Sequence, residues 1–170
     1  MRESIRGTDS AYSAGAATLL VALGAIGAAL GFEHIGGYRP CPLCLMERWA
    51  YYASIPTLFV ALVLVRAGWL RTAGLLFALV SLAFLANAGL GAYHAGAEWS
   101  FWPGPDTCAT APPANLGSGN LLDSLRQSDV VRCDKAPWTF LGLSFAGWNV
   151  VVSLAASAAT LRAAVATNSR

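Results

Sequence analysis

Residues 41–65, CPLCLMERWAYYASIPTLFVALVLV, join a Cys-X-X-Cys motif to a run that carries no charge from Trp49 to Val65. A run of that length comes close to the roughly 20 residues needed to cross the hydrocarbon core as a helix. Working outward, Tyr12 to Phe32, Thr72 to Ala92 and Phe140 to Leu161 are likewise free of charge. Over the whole chain of 170 residues, 56% are hydrophobic and only 12% charged, where a soluble domain carries about 25% charged residues. The sequence therefore predicts an all-α fold, a transmembrane four-helix bundle forming a single membrane domain over residues 1–170. The expected helices span about 12–32, 45–65, 72–92 and 140–161, with a long extracytoplasmic loop over about 93–139 between helices three and four. The net charge of +2 gives no sign of a nucleic-acid partner.

Arg2 and Arg6 ahead of an apolar run resemble a secretory signal, but signal cores span only about 7–15 residues, so this segment is read as helix one. Gly27 and Gly31 stand in it at the GxxxG spacing that suits close packing in lipid. Orientation follows from basic residues. Arg2, Arg6, Arg66, Arg71, Arg162 and Arg170 fall on one side, with both short basic segments, and predict cytoplasmic termini. Arg39, Arg48, Arg126, Arg132 and Lys135 fall opposite, among most of the acids. With four crossings, the loop between helices one and two shares a side with the loop between helices three and four. All four cysteines, Cys41, Cys44, Cys108 and Cys133, lie on that extracytoplasmic, disulfide-permissive side. The expected pairing is local, Cys41 with Cys44 and Cys108 with Cys133, although the sequence alone does not decide it.

The long loop differs from the helices. Trp99, Phe101 and Trp102 suit a membrane interface, and the prolines and glycines from Pro103 to Gly119 make a turn-rich stretch around Cys108. Asn120 to Gln127 reads as a short helix, lying on the bilayer or packed on the protein itself.

Proline is tolerated at a helix start, where the first amides lack partners. Pro40 and Pro42 therefore place the beginning of helix two at the motif. Cys44 then occupies the first turn, where amide donors and the helix dipole favour a thiolate. Arg48, four residues on, is expected on the same face, supporting that thiolate and reaching a lipid-soluble head group. The competing reading pairs Arg48 with Glu47. For the motif itself the competitors are zinc, a thioredoxin-like site and a structural staple. Structural zinc usually takes two closely spaced pairs, whereas Cys108 and Cys133 stand far apart. No βαβ pattern surrounds the motif, and a staple gives no reason for Arg48. His94 and His34 read as interfacial histidines. Tyr51 and Tyr52 suit a pocket wall or interface packing. Pro56 reads as a tolerated kink and Asn87 as an interhelical hydrogen bond.

Phe32-Glu33-His34-Ile35 and Arg39-Pro40-Cys41-Pro42-Leu43-Cys44-Leu45-Met46-Glu47-Arg48-Trp49-Ala50 together resemble the bacterial disulfide-bond formation protein B (DsbB) family. So do Gly91-Ala92-Tyr93-His94, Glu98-Trp99 through Cys108, and Arg132-Cys133-Asp134 with Pro137 through Ser144 leading into Trp148. The resemblance implies a bacterial inner-membrane oxidoreductase that reoxidises a periplasmic DsbA-type partner. By family position Cys108 takes the mixed disulfide, Cys133 attacks Cys41, and Cys44 faces a membrane quinone, ubiquinone or menaquinone, beside Arg48, with His94 as a quinone contact or proton source rather than an interfacial histidine. Two alternatives stand beside this reading. One is a vitamin-K-epoxide-reductase-like quinone reductase that uses the motif in the opposite sense. The other is a non-catalytic, disulfide-stapled membrane scaffold.

Overall fold

The computed structural model describes residues 2–105 and 132–168. Four helices form a closed ring. These are α1 (Arg2–His34), α2 (Pro42–Arg66), α3 (Leu70–Glu98) and α4 (Phe145–Asn168), with a two-stranded hairpin, β1 (Thr139–Phe140) and β2 (Leu143–Ser144), just before α4. Each helix packs on its sequence neighbours, and α1 closes the ring against α4. All four are long and apolar enough to cross a membrane. The all-α transmembrane bundle expected from the sequence is the fold observed.

Burial runs opposite to a water-soluble bundle. On α4 the buried residues are small, among them Ala146, Gly147, Ser153, Ala156, Ser157 and Thr160, while Val151, Leu154, Leu161 and Val165 are exposed. In lipid, outward leucines cost nothing, and small inward residues let backbones approach. Hydroxyls then fasten the contact. Ser81 Oγ donates to the Ser157 carbonyl and Ser157 Oγ donates back to the Ser81 carbonyl, each at 2.9 Å. Larger side chains fill the centre, where Phe77, Phe84 and Leu58 are fully buried. A Cβ at Gly15 would come within 2.7 Å of the Phe77 ring, so the ring that α3 sends into the centre seats against α1 because that position has no side chain. The GxxxG expectation is not met within the chain. A Cβ at Gly27 or Gly31 meets nothing within 4 Å, because this face of α1 points away from the other three helices.

Element ends differ from expectation in instructive ways. Polar residues at the start of α1 break no hydrogen bonds, so the helix runs back to Arg2. Gly37, at φ +72°, follows its other end. Between α2 and α3, Gly68 at φ +82° makes the tight connection. The largest difference concerns α3, which continues through Tyr93 and His94 to Glu98. Alanines and a glutamate favour helix there, and the left-handed turn comes only at Ser100. Trp102 then folds back on α3, donating from Nε1 to the Tyr93 carbonyl at 2.9 Å and stacking on the Tyr93 ring. Helix four starts later than expected, because residues 139–144 form the hairpin. Leu141 and Gly142, both at positive φ, supply the two-residue turn that a right-twisted hairpin prefers. The proposed helix over Asn120 to Gln127 lies outside the described residues.

Candidate functional site

The start of α2, the end of α3 and the stretch before the hairpin meet at one end of the bundle. Helix α2 begins at the motif, with Pro42 in its first turn and Cys41 as the N-cap, in extended backbone conformation. Cys41 Sγ accepts a hydrogen bond from the Cys44 amide at 3.1 Å. The helix-start stabilisation expected for Cys44 therefore falls on Cys41, because an N-cap side chain points back at the orphan amides and a first-turn side chain does not. A hydrogen bond from the Cys44 thiol, with the Cys44 and Leu43 amides, holds the Cys41 thiol below the ordinary cysteine range, and burial opposes them. Both residues are free thiols, with their sulfurs 2.7 Å apart.

Cys133 is disulfide-bonded and forms one buried cluster with Cys41 and Leu43, against which Cys44 and Leu90 pack. Next to it the exposed Arg132 and Asp134 make a two-pronged ion pair, with Nε 2.8 Å from Oδ1. Cys108 lies outside the described residues.

His94 reaches the motif because α3 stays helical past residue 92. It is 2% exposed, and its Nε2 lies 3.6 Å from Cys41 Sγ. Its other nitrogen, Nδ1, lies 2.8 Å from Glu47 Oε1. Glu98, one turn further along α3, has Oε1 4.0 Å from Nε2, and accepts a hydrogen bond from the Ser144 hydroxyl of β2. The sulfurs of Cys41 and Cys44 and a ring nitrogen of His94 all lie within 4.8 Å of one another. The sequence offers Glu47 only as a competing partner for Arg48 and gives Glu98 no role of its own. The four-residue step from His94 to Glu98 was a legible signal, whereas the Glu47 contact crosses between helices.

Arg48 stands one turn beyond Cys44 but pairs with neither Cys44 nor Glu47. Its Nη1 lies 2.5 Å from Glu33 Oε2 of α1. Both residues line a cavity of about 420 Å³ between α1, α2 and α4, which Cys44 and Tyr51 also wall. Phe32, Trp138 and Phe145, packed ring to ring, make the apolar side. Tyr51 hydroxyl donates to Asn149 Oδ1 at 2.7 Å. Asn87 joins the same group, donating to Ser153 Oγ at 3.0 Å and Asn149 Oδ1 at 3.2 Å, which bears out its reading as an interhelical bond. Tyr52 and His34 face outward, and Pro56 sits inside α2 without ending it.

A membrane helix bundle that buries a Cys-X-X-Cys pair against a third, disulfide-bonded cysteine defines a membrane thiol–disulfide protein. The family model described as Disulfide bond formation protein DsbB matches residues 12–163, and the chain belongs to that family. Among its relatives, the Disulfide bond formation protein B of Aromatoleum aromaticum is 36% identical over 135 residues, covering 77% of this chain and 78% of the relative. The protein of the same name from Marinobacter nauticus is 30% identical over 141 residues, covering 78% and 79%. No solved structure matches the chain significantly. The protein is thus a multi-pass membrane protein of disulfide-bond formation.

Proposed function

We propose that the chain reoxidises a periplasmic DsbA-type dithiol protein and passes the electrons through its two cysteine pairs to a membrane quinone, ubiquinone or menaquinone. It would do so in the bacterial inner membrane, with both termini cytoplasmic and the cysteines periplasmic. The observation that carries this reading is the burial of Cys133 in one cluster with Cys41, while Cys44 walls the apolar cavity. One pair is thereby in reach of the other, and the inner pair is in reach of a lipid-soluble acceptor.

Each exchange is a thiolate displacing a thiolate from a disulfide. The partner's thiolate attacks Cys108, and the Cys108–Cys133 bond breaks with Cys133 leaving. Cys133 then attacks Cys41, releasing the Cys44 thiolate on the cavity wall. The partner's second thiol completes its own disulfide and frees Cys108. Cys108 reclaims Cys133, and Cys41 departs as a thiolate whose charge its N-cap amide bond favours. The partner is now oxidised, and Cys41 and Cys44 are a dithiol.

The cavity fits a quinone head. Its volume of about 420 Å³ falls within the roughly 300–1,000 Å³ of small-molecule sites, and its walls are mainly apolar. Arg48 offers a charged donor, and Asn149 Nδ2 is buried with no hydrogen-bond partner among the described residues. A bound quinone supplies a two-electron, two-proton sink as the Cys41–Cys44 disulfide re-forms. His94, beside Cys41 and held in place by Glu47, takes up and passes on the protons that the thiols release.

Quinone absorbance, followed while the purified protein in detergent meets a reduced DsbA-type partner, tests the reading. Reduction of quinone by the wild type and its loss in Cys44→Ser are expected. Failure of the wild type, or an undiminished rate in Cys44→Ser, would sink it.

A further inference from the structure

We propose that the reduced Cys41–Cys44 pair and His94 form a binding site for a thiophilic divalent cation, zinc above all, which holds the inner pair as thiolates and so arrests it. This goes beyond the electron-transfer reading and does not depend on which acceptor receives the electrons.

Two cysteine sulfurs and one imidazole nitrogen are a soft donor set that selects zinc over magnesium or calcium. Cys41 Sγ and His94 Nε2 stand 3.6 Å apart. A tetrahedral zinc with bonds of about 2.3 Å to sulfur and about 2.0–2.1 Å to nitrogen holds such ligands at about 3.5 Å. The two sulfurs, at 2.7 Å, must open by about 1 Å to reach the spacing of zinc thiolates, a movement within reach of a side-chain rotation in the first turn of α2.

His94 is set up as a ligand. Glu47 Oε1 lies 2.8 Å from Nδ1, so the ring proton belongs on that side and the lone pair of Nε2 faces the sulfurs. A carboxylate behind the histidine is the arrangement that orients imidazole on zinc and raises its basicity. Glu98 Oε1, 4.0 Å from Nε2, stands ready as an oxygen ligand. Cys41 and His94 are buried and Cys44 is partly buried at the cavity wall, on helices already fixed by packing, so the oxidation state of the sulfurs decides whether the site is present. Spacing argued against zinc because it counted cysteines alone, and the third ligand comes from another helix.

In the binding step the cation takes the place of the two thiol protons, which leave to solvent, and no electron moves. A disulfide has no thiolate to offer, so the oxidised pair does not bind. With metal bound, the sulfurs that must bond to each other are held apart.

The test uses the full chain in detergent, with Cys108→Ser and Cys133→Ser to remove the other thiols, reduced by a phosphine and titrated with cobalt(II). One equivalent should bind with thiolate-to-cobalt charge-transfer absorption and the intense visible bands of a tetrahedral site, and zinc should displace it. The oxidised protein should give no such band. Cys44→Ser in this background should abolish it, and His94→Gln should weaken binding by about tenfold or more. Cadmium-113 resonance of the reduced protein with His94 intact gives a second reading, independent of any variant's folding, and a mixed sulfur and nitrogen shift is expected. No charge-transfer band, equal binding by oxidised protein, unchanged affinity in a folded His94→Gln, or a cadmium shift without nitrogen would each overturn the proposal.

Discussion

His94 Nδ1 lies 2.8 Å from Glu47 Oε1, a contact between α3 and α2 that turns the opposite edge of the imidazole toward Cys41. Glu47 touches no sulfur in this arrangement, so it acts as a positioning residue. Opening of the Cys41–Cys44 disulfide by a small dithiol should slow by about tenfold in Glu47→Leu, in line with the loss of a carboxylate that orients a histidine. Glu47→Gln, which keeps an acceptor oxygen, should recover most of the rate. Equal rates in Leu and Gln variants of matched helicity would remove the positioning role.

Arg48 is tied to Glu33 rather than to the motif, and the tie bridges α2 to α1 across the cavity. Arg48→Ala should slow quinone reduction by about tenfold or more while leaving oxidation of the partner protein nearly intact, since the partner meets the other cysteine pair. Measuring the half-reactions separately decides it. Equal slowing of both would take the quinone role away from Arg48. Glu33→Gln, which leaves the guanidinium without its ion-pair partner, should show the same bias to a smaller degree.

The Ser81 and Ser157 hydroxyls each donate to the other residue's carbonyl. The hydroxyls also lie 3.1 Å from each other, and a double-mutant cycle to alanine, read by unfolding in detergent micelles, should give for that contact a coupling near the average for interhelical hydrogen bonds in membranes, about 0.6 kcal/mol. A coupling indistinguishable from zero would show that the two hydroxyls act independently, each through the other residue's carbonyl.

Leu141 stands at φ +51° in the hairpin turn, where a branched side chain is costly, and it is 77% exposed, so little packing is at stake. Leu141→Asn should raise stability by up to about 1 kcal/mol, because asparagine tolerates the left-handed region. Gly142→Ala should lower it by about 1 kcal/mol or more, since that position also has positive φ. Thermal unfolding of the two variants side by side checks both signs. A destabilised Leu141→Asn would mean that the leucine is seated in something beyond the chain.

Much of this could be read in advance because lipid imposes simple rules. Uncharged runs announced the four helices, and Pro42 announced where α2 begins. Asn87, a polar residue in an apolar run, announced its interhelical bond. What stayed hidden was pairing across helices. Arg48 and Glu47 are sequence neighbours, yet they point to different partners, Glu33 and His94, because adjacent residues on a helix face about 100° apart. The end of α3 was missed because aromatic and histidine residues at a membrane edge look the same whether the helix stops there or runs on. Charge composition could not reveal that Gly27 and Gly31 face outward, since spacing says where a helix can be approached and not whether anything approaches it.

The cap of α2 is a sulfur atom, and that ties backbone order to electron count. Whenever Cys41 passes between thiolate and disulfide, the Cys44 amide trades a charged acceptor for a poor one. Protection of that single amide against deuterium should therefore be higher in the reduced protein than in the oxidised one. A helix terminus that loosens when the bond forms is a fuel gauge written in hydrogen exchange, legible without touching either cysteine.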